Sequence, residues 1–168
     1  KISSKNNLRI PYAAIVAIYK TKMGITGLHS YSRVYYEKGE NMCKGVEGSW
    51  TIRDTKQVSS FCVFHNGNKP QPKQTIKVQI QNKKDQILLV EIKIKKINPF
   101  GTVKLKLKDY VPNLVSFLDG KIGAACTEFA VKGGFARMLI GNESEIKGHD
   151  MQVTHSNFCY GKLGSDYI

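Results

Sequence analysis

The stretch Gln74–Leu107, QTIKVQIQNKKDQILLVEIKIKKINPFGTVKLKL, decides the fold. In Thr75–Ile80, Val90–Ile94 and Val103–Lys108, Ile, Val and Leu alternate with Lys, Gln and Glu. Successive side chains of a strand point to opposite faces, so each segment presents one apolar and one wet face. Lys83-Lys84-Asp85 separates the first two segments, and Asn98-Pro99-Phe100-Gly101 precedes the third. Both have turn composition. The pattern predicts a three-stranded meander, over Gln74–Gln81, Ile87–Ile94 and Gly101–Leu107, forming one wall of a sandwich.

The same period extends outward. Further strands are expected over Tyr12–Tyr19, His29–Tyr36, Ser49–Arg53, Ser60–Asn66, Ala124–Val131, Ala136–Gly141 and Met151–His155. The one helical signal is Val111–Asp119, where Leu114, Phe117 and Leu118 fall at i, i+3 and i+4 and Pro112 suits a first turn. The expectation is a single all-β domain over residues 1–168, an antiparallel β-sandwich of jelly-roll or Greek-key type with roughly 8–10 short strands. At most one short helix is expected, near residues 111–119.

Composition narrows the class. With 168 residues and 41% hydrophobic content, the chain is long enough for one domain with its own core. The longest unbroken apolar run, Tyr12–Tyr19, falls far short of the ~20 residues that a membrane-spanning helix needs. The formal net charge is +13, from 26 Lys plus Arg against 13 Asp plus Glu. Such a balance favours anionic partners. Only four of the basic residues are arginine (Arg9, Arg33, Arg53, Arg137). Specific phosphate and base readout leans on the arginine fork, so nucleic acid is a weaker expectation than a solvated Lys face or an acidic polymer. Cys43, Cys62, Cys126 and Cys159 lack zinc-site spacing. Cys62 and Cys126 lie in apolar runs and are expected to be buried free thiols. The chain begins at Lys1 without a visible leader and ends at Ile168, which reads as a processed chain or a piece of a longer one. An extracellular or surface location is slightly favoured.

Eight polar or aromatic residues form the candidate ligand site. His29 and Arg33 lie in HSYSR, and His155 and Asn157 in THSNF. Paired imidazoles on adjacent strands could hold a polar ligand or a metal. SWTIRDT carries Trp50, Arg53 and Asp54. Trp50 is either core or a stacking platform for a sugar ring, with Arg53 and Asp54 bonding its hydroxyls. Arg137, in ARMLIGN, stands opposite Met138 and Ile140 and suits a carboxylate or phosphate clamp.

No nucleophile elbow, phosphate loop, dinucleotide fingerprint or zinc-protease motif occurs, and no cofactor is expected. The leading expectation is a non-catalytic β-sandwich that binds an acidic or neutral glycan. A structural or assembly subunit of viral or filament type, with a Lys-rich face turned to nucleic acid or anionic neighbours and with a homo-oligomer or larger assembly as its state, is the second. A metal-assisted hydrolase or isomerase using His29 and His155 with Asp54 or Glu128 is the third.

Overall fold

A computed structural model describes residues 15–20, 25–30, 32–33, 42–45, 48–66, 69–132, 135–136, 138–146 and 151–156. The fold is all-β and antiparallel. In chain order the strands are β1 (Ile15–Lys20), β2 (Ile25–Ser30), β3 (Ser32–Arg33), β4 (Met42–Gly45), β5 (Ser49–Ile52), β6 (Val58–His65), β7 (Gln74–Gln81), β8 (Ile87–Ile94), β9 (Thr102–Lys106), β10 (Gly123–Lys132), β11 (Phe135–Ala136), β12 (Leu139–Ser144) and β13 (Met151–His155). One short helix, α1 (Leu114–Leu118), follows a 3-10 turn at Leu107–Asp109.

Two sheets dominate. The first runs β4-β10-β7-β8, with β5 also pairing with β10. The second runs β13-β12-β6-β9. The long β10 takes β5 against Gly123–Cys126 and β4 against Phe129–Lys132. Between them, the Thr127 N–H donates to the Gly48 carbonyl at 3.0 Å. The alternation in Gln74–Leu107 puts Ile76, Val78, Ile80, Ile92 and Ile94 on one side of the first sheet. They share one core with Cys62, Leu105 and Ile140 of the second sheet and with Leu114 and Leu118 of α1.

The expected meander is only half present. β7 pairs with β8 from Gln74↔Ile94 to Gln81↔Ile87, but β9 pairs with β6 in the other sheet. The crossing is made by residues 95–101. Ile97, 7% exposed, drops into the core and bridges Gln71. Gln71 in turn donates to buried Asn66 at 2.8 Å, and Asn66 donates to the Lys69 and Asn98 carbonyls. The turn signal at Asn98-Pro99 was therefore a corner between sheets, not a hairpin.

The expected strand over His29–Tyr36 is divided between β2 and β3, and its remainder lies outside the described residues. The thiol expectation holds for Cys62, which is free and buried, with burial pushing its pKa up to about 12. Cys126 corrects it: this residue is disulfide-bonded. Among the described residues no helix is long and apolar enough to cross a membrane.

Candidate anion-binding site

The polar residues singled out in the sequence separate into different environments. Trp50 shares its strand face with Ile52, is 2% exposed and lies in the core. Its ring offers no face to a sugar, and the stacking platform is withdrawn. Asp54 is 0% exposed. Its Oδ1 accepts the Ser60 N–H at 3.1 Å, and desolvation raises its pKa against the pull of that bond and of Lys108. Asp54 thus closes the turn after β5 and presents nothing to a ligand from solvent. Around it, the Ser60 hydroxyl accepts the Arg53 N–H at 2.7 Å and donates to Asn142 at 2.8 Å.

His155 stands opposite Leu139, which itself stands opposite Val63, and its Nδ1 lies 2.9 Å from the Ser156 carbonyl. Arg53 is tied to Ser60, three residues away along β6, or about 10 Å at strand rise. The two belong to different levels of the fold. β2, which carries His29, lies alongside β13. His29 pairs with Val16 and Arg33 with Phe135 in the strand register. Arg137 and Asn157 lie outside the described residues. Among the described residues, no three of His, Cys, Asp and Glu stand together as a metal site.

Arg53 faces an opening. The end of β5, the β7–β8 turn and the entry to β10 meet there around an open depression of about 530 Å³ lined by Arg53, Lys83, Gly120, Lys121 and Ile122. Local rules bring these segments together. Helix α1 ends through Asp119 at φ 52° and Gly120 at φ 68°, two left-handed residues that turn the chain sharply. Gly123 then starts β10 where a Cβ would stand 2.7 Å from the Gln81 carbonyl and 2.6 Å from Leu118 Cδ2. Only glycine lets helix, turn and strand approach this closely.

Asn82 holds the other wall. It is 7% exposed and uses its whole amide. Its Oδ1 accepts the Lys84 and Gln86 N–H groups at 2.9 and 3.1 Å. Its Nδ2 donates to Gln86 Oε1 and, across to α1, to the Phe117 carbonyl at 3.0 Å. The turn carrying Lys83 is thereby locked to the helix that precedes Lys121. Asn82→Ala forfeits these part-buried bonds at about 1 kcal/mol each. The expected loss is about 2–3 kcal/mol in urea unfolding.

Charge pairing separates this site from the outer face of the second sheet. On the outer face of the second sheet, Lys106 and Lys108 each lie 2.7 Å from a carboxylate oxygen, of Glu143 and Glu145 respectively, and Lys104 also pairs with Glu143. Lys84 lies 3.5 Å from Asp119, and Lys77 3.9 Å from Glu91. Arg53, Lys83 and Lys121 have no carboxylate within ion-pair distance among the described residues. Three cations without an ion pair among the described residues, gathered around one concavity, favour an anion at its mouth.

The paired face carries its own pH signature. Bonds from Lys108 and from the Ser59 hydroxyl hold Glu145 down at about 2, below its ordinary 4.5. Burial pushes Glu143 upward, but Lys104 and Lys106 outweigh it and leave the group lowered. A carboxylate with a depressed native pKa stabilises the fold above its unfolded pKa and loses that contribution as pH falls through the native one. The melting temperature should therefore fall between pH 4.5 and about 2. Calorimetry of Glu145→Gln across that window should show a shallower fall.

No protein-family profile, curated protein or solved structure matches the chain. Lys83 and Lys121 were not singled out in the sequence. Lys83 sits in the Lys83-Lys84-Asp85 turn signal and Lys121 follows Asp119-Gly120, and the shared end of the sheets makes them neighbours of Arg53.

Proposed function

We propose that this protein is a non-catalytic binding module whose ligand is an acidic glycan, held electrostatically at the depression formed by Arg53, Lys83 and Lys121. The observation that carries this reading is the gathering at one concavity of three cations that have no ion pair among the described residues, while the lysines of the second sheet are matched by Glu143 and Glu145. The exposed side chain of Ile122, also in the lining, gives an apolar floor edge for a ring face. A neutral glycan is less favoured, because Trp50 is buried. Nucleic acid is less favoured because the site holds one arginine and two lysines, and because the Cys126 disulfide suits an oxidising compartment where acidic glycans are met.

Retention on immobilised heparin tests this. The wild type should bind at low salt, with log affinity falling against log salt at a slope of about −2 to −3, as for three contacts. Arg53→Ala/Lys83→Ala/Lys121→Ala should lose at least tenfold in affinity. Each exposed change should leave stability within ~0.5 kcal/mol. Equal retention of the variant would refute the site. Binding of DNA but not of sulfated glycan would refute the ligand class.

A second reading, an assembly subunit, draws on strand order. From β5 to β13, only the β7–β8 and β12–β13 links stay within one of the two main sheets. Repeated crossing between two sheets supports a jelly-roll arrangement, which serves lectins and viral capsids alike.

A further inference from the structure

The outer edge of β8 ends the first sheet, and among the described residues nothing pairs with it. Which backbone groups it offers follows from the turn. The Asn82 N–H donates to the Gln86 carbonyl at 3.1 Å. Bonded and non-bonded pairs alternate along an antiparallel ladder. Ile80↔Leu88, Val78↔Val90 and Ile76↔Ile92 are therefore the bonded pairs. Ile87, Leu89, Glu91 and Lys93 turn their N–H and C=O groups to the free edge. Their side chains all stand exposed on the outer face, Ile87 at 51% and Leu89 at 58%. The strand is eight residues long and contains neither Pro nor Gly. An unbroken edge with exposed apolar side chains is a template for another strand.

A second copy of the chain supplies a matching edge across a two-fold axis, and the side chains select the register. Outward-bonding residues must face one another, so odd numbers meet odd numbers. Glu91 opposite the partner's Glu91 places like charges together. Leu89 opposite the partner's Glu91 sets an apolar side chain against a charge and Ile87 against Lys93. Leu89 opposite the partner's Ile87 sets Glu91 against Asp85 and Lys93 against Lys83. With Leu89 on the axis, Leu89 meets Leu89, Ile87 faces the partner's Glu91 with its side chain diagonally beside the leucine pair, and Lys93 faces the partner's Asp85; of these four registers it is the one that gives an apolar pair with no like charges opposed.

We propose that two copies pair antiparallel along β8 with Leu89 on the two-fold axis, joining their first sheets into one continuous sheet. This inference does not rest on the glycan reading, since β8 contributes nothing to the lining of the depression.

Sedimentation of the full chain at tens of micromolar should give twice the monomer mass of 18.8 kDa. Leu89→Lys should shift the protein to monomer with its circular dichroism unchanged. Leu89→Cys should form an interchain disulfide on mild oxidation, since directly opposed bonded residues have Cα atoms about 5.5 Å apart. Glu91→Cys should not. A wild-type monomer at that concentration, a dimer that survives Leu89→Lys, or cross-linking through Glu91→Cys instead would each overturn the proposal.

Discussion

Gly141→Ala is expected to lose about 3 kcal/mol or more, the upper end for overpacking a well-filled interior. Gly141 sits at the centre of β12, flanked by Phe61 on β6 and Val153 on β13. A Cβ there would stand 2.0 Å from the Gln152 carbonyl oxygen and 2.6 Å from Phe61 Cζ. The first contact is backbone and cannot swing away. The second is a ring that is 1% exposed, packed with Val153, Val63 and Leu139 and capped by Lys104, whose Nζ lies 4.3 Å from the ring centroid. Relief therefore requires β13 to part from β12. Gly120→Ala is the control, because nothing lies within 4 Å of its Cβ position and only the left-handed φ of 68° is penalised, by about 1–2 kcal/mol. Urea midpoints for the two variants should rank in that order. Equal midpoints would contradict the packing around Phe61.

Trp50→Ala is expected to cost about 3–5 kcal/mol, as for removal of a buried aromatic side chain. The ring lies among Ile52, Val78 and other core residues, and its Nε1 has no hydrogen-bond partner among the described residues. Trp50→Phe should be far milder, since it keeps an aromatic ring and deletes the unsatisfied N–H. Neither variant should weaken heparin binding under conditions where it remains folded. A sugar platform would give the opposite split, with little change in stability and a large fall in affinity. Thermal unfolding and heparin affinity measured on the same samples separate the two.

What the sequence made legible is what alternation controls. Gln74–Gln81, Ile87–Ile94 and Met151–His155 form strands with the bounds their period indicates, and the weak helical signal at Val111–Asp119 becomes a turn and α1. Alternation says which face is apolar but not which strand lies alongside, so the crossing of β9 to the second sheet was hidden. It depends on Ile97 bridging Gln71, a contact between residues 26 apart in the chain. Trp50 was ambiguous for the same reason: period two marks its face, and only the opposing sheet buries it. Arg53 was visible as a charge at a strand end. Lys83 and Lys121 were not distinguished from other turn lysines, because their meaning comes from convergence with Arg53 around one depression. The bond at Cys126 was equally unreadable, since apolar context describes a buried thiol and a buried disulfide alike.

The central claim is that the cations at the shared end of β5, β7 and β10 take an acidic ligand. The most direct measurement is an amide NMR titration of the wild type with a short sulfated heparin oligosaccharide. Shifts should be confined to the neighbourhood of Arg53, Lys83, Gly120, Lys121 and Ile122 and be suppressed by salt, with the Lys104–Lys108 face unmoved. Shifts centred on that Glu-paired face, or no saturable shifts at low salt, would contradict it.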